Sequence, residues 1–274
     1  MARKCIRGYT KVSLIGEGYF GQVWLVEKGG KFYAMKICDV EDTDNYNEIK
    51  FLKSISHPNI IKMIEYFEKN DKLYIITELY GTCVAKLKLS PNLVKRVYYD
   101  MKKAITYLGE NHILHNDIHT ENILNKKISK KTRRIIELYC LEKQINVPEF
   151  NDKNEFILID FNMAMITGED CEYGYFFSNY MSPETIYSEK KEKQSDYWML
   201  GATLYELLNG KRLFTAKDYE AQAKQIRKVL PGMTYYGEEP YLKKRRNIFK
   251  GLDFELKVIL KNLFKINPAY RRML

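Results

Sequence analysis

The sequence predicts an α+β protein built in two unequal parts, a small mainly-β part followed by a larger mainly-α part, with the change near Tyr80. Three observations carry this reading. Up to Tyr80 the apolar residues fall in short β-rich runs broken by glycine or Asn-Asp turns. From Ser90 onward the apolar spacing becomes helical. A chain of 274 residues is also long enough to bury a sizeable core, as one large domain or as two lobes. The expected division is therefore 1–79 and 80–274.

The elements follow in order. Within residues 9–37, Val12, Leu14, Val23, Leu25, Phe32, Ala34 and Ile37 occupy strand-like runs, with Gly29-Gly30 as a hairpin turn. Ile49, Leu52 and Ile55 share one face of a helix over 44–56, which Pro58 ends. Two more strands fit IIKMIEYFEK and KLYIITELY, joined by Asn70-Asp71. SPNLVKRVYYDMKKAITYLGEN opens with a Ser cap and Pro in the first turn and continues as a helix. Further helices are expected at 195–209, 217–229 and 253–264, and there is no internal repeat.

Composition narrows the class. With 45% hydrophobic and 29% charged residues the chain is an ordinary globular protein rather than a disordered one. No apolar run approaches the roughly 20 residues that span a bilayer, and the first residues lack the apolar core of a signal peptide. The five cysteines lie far apart without a C-x-x-C pair, so neither a zinc site nor a disulfide framework is indicated. A reducing, intracellular location is the expectation. The excess of 45 basic over 35 acidic residues favours anionic partners such as nucleotide, nucleic acid or acidic surfaces, or serves solubility alone.

GEGYFGQV places Gly16, Gly18, Gly21 and Val23 in a G-x-G-x-x-G-x-V pattern between two predicted strands. Glycines let a backbone approach phosphate oxygens and adopt angles that a side chain forbids. A Rossmann loop runs from strand into helix. Here strand residues follow, which points to a hairpin lid over a nucleotide. Lys36 is an isolated charge inside the next apolar strand, spaced to reach phosphates, with Glu48 of the following helix as its ion-pair partner.

ILHNDIHTENIL (113–124) carries His115, Asp117 and Asn122 in an H-x-D-x-x-x-x-N spacing, and FILIDFN ends an apolar run in Asp160-Phe161-Asn162. With these residues the chain resembles the protein kinase superfamily, non-RD type, in which they are the HRD and DFG motifs. The resemblance implies a bilobal protein kinase fold whose larger lobe lacks most of the last helix. It also implies that Asp117 orients the acceptor hydroxyl and takes its proton. Asn122 and Asp160 would hold Mg2+ or Mn2+ against the phosphates of ATP. Thr77 falls at the gatekeeper position and Glu78 to Tyr80 at the lobe hinge. Val23, Ala34 and Leu124 join the three glycines and Lys36 around the nucleotide.

Three further stretches bear on the acceptor. SHPNIIKMIEYF with LYIITELY resembles the protein kinase path from first helix to hinge. NYMSPE (179–184) resembles the APE motif and its peptide-binding loop, in the serine/threonine form. SDYWMLGATLYELLNGKRLF resembles the helix whose buried Asp196 holds the catalytic loop, and Arg271 matches the arginine that pairs with Glu184. Together they imply a serine/threonine protein kinase using MgATP. The alternatives are a small-molecule phosphotransferase, to which His119 and the missing Arg lean, and a nucleotide-binding pseudokinase scaffold.

The departures carry their own expectations. Asn116 replaces the Arg that binds an activation-segment phosphate, implying activity without that phosphate. His119 replaces the lysine near the γ-phosphate, and Phe177 the threonine that bridges it. The pair implies an altered phosphate contact and a possible pH dependence through imidazole. Asn162 stands for the DFG glycine, a position that favours positive φ. Glu169, Asp170 and Glu172 form an acidic segment that orders the loop, attracts a basic substrate or is simply solvated. Glu206 lies where basophilic kinases contact substrate arginines.

The stretch 126–153 between catalytic loop and DFN motif is longer than the family's usual hairpin. It begins with the basic KKISKKTRR and continues with Ile135, Leu138, Leu141 and Ile145 at helical spacing. A docking or dimerisation helix is one reading and a solvated excursion the other. The chain ends soon after Arg271, which would leave an apolar face for a partner. The expected partners are thus a basic protein substrate and a second copy through either surface. No membrane is expected, and direct nucleic-acid binding is left open. The small size and HND loop resemble viral enzymes of the baculovirus late protein kinase type, which would place the protein in host cytoplasm or nucleus, acting on a basic DNA-packaging protein.

Overall fold

The computed structural model describes residues 4–18, 21–41, 43–168, 178–188, 192–230 and 248–274. In chain order the first strands are β1 (Cys5–Ile6), β2 (Tyr9–Gly18), β3 (Gly21–Lys28) and β4 (Lys31–Asp39), followed by α1 (Thr43–Ser54), β5 (Met63–Lys69) and β6 (Lys72–Glu78). Next come α2 (Pro91–Glu110), β7 (Ile113–Leu114), β8 (Ile123–Asn125), α3 (Lys130–Lys143), β9 (Phe156–Leu158) and β10 (Met165–Ile166). The chain closes with α4 (Pro183–Ser188), α5 (Lys193–Asn209), α6 (Tyr219–Val229) and α7 (Phe254–Leu263). Two compact units result, Met1–Leu87 with Leu124–Met163, and Lys88–Ile123 with Ala164–Leu274.

The first unit holds a six-stranded antiparallel sheet in the order β1-β2-β3-β4-β6-β5. Its hairpins form where the sequence supplies residues that tolerate positive φ: Gly29 and Gly30 (61° and 77°) and Asn70 and Asp71 (52° and 55°). Alternation along the strands builds two cores. Tyr9, Val26, Met35 and Ile76 pack on one face with Phe67 and Tyr74, whose rings stack 4.9 Å apart. Cys38, Leu73 and Ile75 pack on the other with Ile49 of α1. Each such fully buried side chain stabilises the fold by about 1.5–3 kcal/mol.

The inserted stretch belongs to this unit. Helix α3 starts at a Ser129 cap, whose Oγ accepts from the Thr132 N–H at 3.1 Å. It lies on the sheet with Ile136 and Cys140 against Leu25, and Val12, Phe32 and Leu79 around them. Tyr139 meets Phe32 edge-to-face at 5.8 Å and donates its hydroxyl to Glu27 at 2.9 Å. The helix period read from sequence is right and half of the expected face holds, Ile135 and Ile145 packing against the cluster of Leu25, Ile136 and Cys140. Leu138 and Leu141 of the expected apolar face are 49% and 77% exposed, whereas Ile136, Tyr139 and Cys140 are buried. The basic lead is partly neutralised within the same stretch, by Arg133 and Lys127 on Asp152 and by Lys126 on Glu155.

In the second unit, α2 takes its cap from Ser90, which accepts from Leu93 N–H at 3.4 Å, and buries Val94, Val97, Met101, Ala104 and Leu108. The helices expected at 195–209, 217–229 and 253–264 form as α5, α6 and α7. Trp198 of α5 stacks on Phe214 and meets Phe264 edge-on at 5.2 Å. Gly201 lets α5 approach α7: a Cβ there would stand 3.0 Å from that of Leu263. Strand β7 pairs with β10 on either side of the catalytic loop sequence. Among the described residues no helix is long and apolar enough to cross a membrane.

Candidate active site

The first unit encloses a cavity of about 390 Å³ lined by the β2–β3 hairpin, β4, the end of β6 and the segment after it. Its charged end is made by register. β4 pairs Lys36 with Val23 on one side and Ile75 on the other, so the ammonium emerges from an apolar strand. Glu48, buried on α1, accepts from Lys36 Nζ at 2.8 Å. Burial alone would lower the Lys36 pKa, but the carboxylates of Glu48 and Asp160 more than reverse it, and the net direction is up. Lys36 is thus a fixed cation. Asp160 lines the same end with φ of 66°.

The rest of the cavity combines an apolar slot and backbone with the side chains of Glu17, Thr82, Lys86 and Thr132. Val23, Ala34 and Leu124 line it, as do Gly16, Gly18, Gly21, Thr77, Glu78 and Tyr80. Gly21 is obligatory: its φ is 110°, and a Cβ would fall 2.1 Å from the Ile37 carbonyl oxygen. Thr77 is buried and donates to the Glu78 carbonyl at 3.2 Å. The Tyr80 hydroxyl donates to Glu78 Oε2 at 2.9 Å, and burial together with that carboxylate pushes its pKa up. Gly81 and Thr132, which sequence reasoning missed, border the same cavity. Thr132 comes from the inserted helix, and no local pattern could have assigned it.

The catalytic-loop residues meet in the second unit. Buried Asp196 of α5 accepts the backbone N–H groups of His115 and Asn116, each at 2.9 Å. Thr203 of α5 donates to the Ile118 carbonyl at 3.1 Å. This fixes the turn, in which Asn116 takes φ of 62°, a conformation Asn tolerates better than Arg. The Asp117 Oδ2 atom accepts from Asn122 Nδ2 at 2.8 Å and faces His119 Nε2 at 3.4 Å. His119 Nδ1 accepts the Glu121 N–H at 3.3 Å, which puts the neutral imidazole's proton on Nε2, toward Asp117. Burial raises the Asp117 pKa, but His119, His115 and Asn122 outweigh it and the net direction is down. The carboxylate is ionised, and Oδ1 has no hydrogen-bond donor among the described residues.

Around this loop the His119 ring stacks on Tyr180, with centroids 5.5 Å apart. The Tyr180 hydroxyl donates to Glu206, which also faces Arg212 at 3.8 Å. Glu184 forms a fully buried, two-point ion pair with Arg271 (2.7 and 3.0 Å) and accepts from Ser195 Oγ at 2.9 Å.

One expectation is corrected. Asn162 does not take over a left-handed glycine position; the positive φ of this motif sits at Asp160, whose Oδ1 accepts the Asn162 N–H at 3.4 Å. The Asn162 carbonyl in turn accepts from Asn47 of α1 at 2.8 Å. Phe177, Glu169, Asp170 and Glu172 lie outside the described residues.

Among the described residues no cluster of three or more His, Cys, Asp or Glu side chains could cage an ion. Mg2+ at a phosphate site asks for one or two carboxylates with the phosphates and water completing its shell. Asp160, at the Lys36 end of the cavity, supplies one such carboxylate.

Comparison with known proteins agrees with the geometry. A 232-residue match to an Aurora kinase of Eremothecium gossypii is 28% identical and covers 78% of this chain and 56% of that protein. Serine/threonine-protein kinase 33 of Mus musculus is 25% identical over 279 residues, covering 96% of this chain and 52% of its own. Ribosomal protein S6 kinase alpha-6 of Danio rerio is 24% identical over 283 residues, 96% and 33% of the two chains. The chain thus spans about half the length of the first two relatives. The family profile described as the protein kinase domain matches residues 9–273. With Lys36–Glu48, the Asp117 loop held by Asp196 and the Glu184–Arg271 pair all present, the chain belongs to the protein kinase domain family.

Proposed function

We propose that the protein is an ATP-dependent serine/threonine protein kinase that transfers the γ-phosphoryl group of MgATP to protein hydroxyls. The observation that carries this reading is the Asp117 carboxylate, ionised, anchored through Oδ2 and open at Oδ1. Phosphoryl transfer asks the protein for positioning and charge neutralisation rather than covalent chemistry. In this reading Oδ1 of Asp117 accepts the hydrogen bond of the acceptor hydroxyl, orients its oxygen and receives the proton as the new P–O bond forms and the bond from the γ-phosphorus to the bridging oxygen breaks, releasing ADP. His119 holds Oδ2 in place and turns Oδ1 outward. Lys36, fixed by Glu48, binds the nucleotide phosphates, and the apolar slot of Val23, Ala34 and Leu124 takes the base against the Glu78–Tyr80 backbone. Asn122 and Asp160 would hold Mg2+, which supplies charge neutralisation at the phosphates.

Protein rather than small-molecule acceptors are supported by the Asn179–Glu184 segment, tied down by the Glu184–Arg271 pair, and by relatives named as serine/threonine kinases. A basic acceptor segment is supported by Glu206, whose carboxylate already faces the guanidinium of Arg212, the group such a substrate would present. Asn116 offers no cation to an activation-segment phosphate, so unphosphorylated protein is expected to be fully active; a strict requirement for phosphate in 163–180 would contradict this. The test of the function is transfer from radiolabelled MgATP to basic proteins, casein and small alcohols. Labelled serine or threonine in a protein supports the reading. Label on small alcohols alone, or nucleotide binding without transfer, overturns it.

A further inference from the structure

The inserted stretch is built into the wall of the nucleotide cavity. Thr132, in the first turn of α3, lines the cavity, as do Thr82, Cys83 and Lys86. Its position is fixed from several sides. The Thr132 N–H donates to Ser129 Oγ at 3.1 Å, and the two hydroxyls lie 2.9 Å apart. One and two turns on, Ile136 and Cys140 are buried against Leu25 of β3, the strand that follows the glycine pattern.

The start of the insert is locked to the cavity's edge as well. Gly81 N–H donates to the Asn125 carbonyl at 2.7 Å, and Asn125 N–H to the Thr82 carbonyl at 3.1 Å. A Cβ at Gly81 would fall 2.0 Å from the Lys127 carbonyl oxygen, so only glycine lets the two segments meet. The Asn125 side chain bonds both ends of the insert, accepting from Lys127 N–H and donating to Asn154 Oδ1, each at 2.9 Å.

Register says which part of a nucleotide meets Thr132. β6 pairs Ile75 with Lys36 and Glu78 with Tyr33, so the chain moves away from Lys36 as it runs to Thr82. With phosphates at Lys36 and the base in the apolar slot, the sugar is the polar group left to face the Thr82–Thr132 side. A helix seated this firmly can present one hydroxyl at little entropic cost.

We infer that Thr132 of the inserted helix is a nucleotide-specificity residue whose hydroxyl hydrogen-bonds a ribose hydroxyl of ATP. This rests on the proposed reading of the cavity as the ATP site. The experiment is equilibrium binding of ATP, 2′-deoxy-ATP and 3′-deoxy-ATP to the full chain, as wild type, Thr132→Val and Thr132→Ser. Wild type should favour ATP over one of the deoxy analogues by roughly 2–10-fold, the range of one neutral hydrogen bond. Thr132→Val should lose that preference through weaker ATP binding, and Thr132→Ser should keep it. Unchanged preference in Thr132→Val overturns the inference, as does an equal loss for all three nucleotides, which would make the helix a prop only. Wild type that binds ATP without any preference overturns the ribose contact while leaving the proposed function standing. Wild type that binds no nucleotide overturns both.

Discussion

Lys36 and His119 show how single side chains act here by fixing a neighbour. Lys36 and Glu48 neutralise each other at 2.8 Å in a poorly solvated end of the cavity. Lys36→Met removes the cation proposed to bind the nucleotide phosphates and strands a buried carboxylate. Activity should fall by about 10²–10³-fold, the cost of one electrostatic stabiliser, and thermal melting should show a loss of stability as well. His119→Ala removes one of the two donors facing Asp117 Oδ2. We expect kcat to fall by about 10–100-fold, the range for a hydrogen bond to a charged group, with the KM for ATP little changed. Equal changes in both constants would place His119 in nucleotide binding instead. At this scale the sequence was readable where a contact is set by a residue's own chemistry, as for the Lys36–Glu48 and Arg271–Glu184 pairs and the bonds from Asp196 to the loop. It was not readable for Asn162, whose carbonyl is held by Asn47 from far away in the sequence while the positive φ falls at Asp160.

At the scale of elements, the hairpins were legible because Gly29-Gly30 and Asn70-Asp71 are among the few pairs that accept left-handed backbone cheaply. Helix α3 was legible in period and only partly in phase. Of Ile135, Leu138, Leu141 and Ile145, the first and last pack on the surface offered by Leu25, Val12 and Phe32, while the helix's buried centre is the adjacent stripe of Ile136, Tyr139 and Cys140. Spacing alone does not say what a helix will lie against. Ile136→Ala should therefore destabilise the protein by about 2–5 kcal/mol, whereas Leu141→Ala, at a 77% exposed site, should be nearly neutral by chemical denaturation. Equal effects would place the helix elsewhere. Gly81→Ala should be strongly destabilising, since its methyl group meets backbone rather than a movable side chain.

Across the whole molecule, the contacts that hold each unit join residues far apart in sequence, such as Arg271 with Glu184 and Asn125 with Thr82. Removing Arg271 leaves Glu184 charged and buried, a change that costs about 3–5 kcal/mol in such pairs. The same pair sets a pH dependence. Burial raises the Glu184 pKa, but Arg271 outweighs it and the net direction is down from 4.5. Its contribution is complete above the unfolded value and is lost as pH falls through the lower folded one. The Tm gap between wild type and Glu184→Gln should therefore be widest at neutral pH and narrow in acid; a gap independent of pH would show that the pair carries no linked proton.

The central claim is that Asp117 is the base of a phosphotransferase acting on protein. The most direct measurement is the rate of γ-phosphoryl transfer from MgATP to a basic protein by wild type and Asp117→Asn, with ATP affinity measured on both. Wild type should transfer, the variant should lose about 10²–10⁴-fold, the range of general-base catalysis, and the two ATP affinities should match. Equal rates in the two proteins, or no transfer by wild type with ATP bound, would contradict the claim.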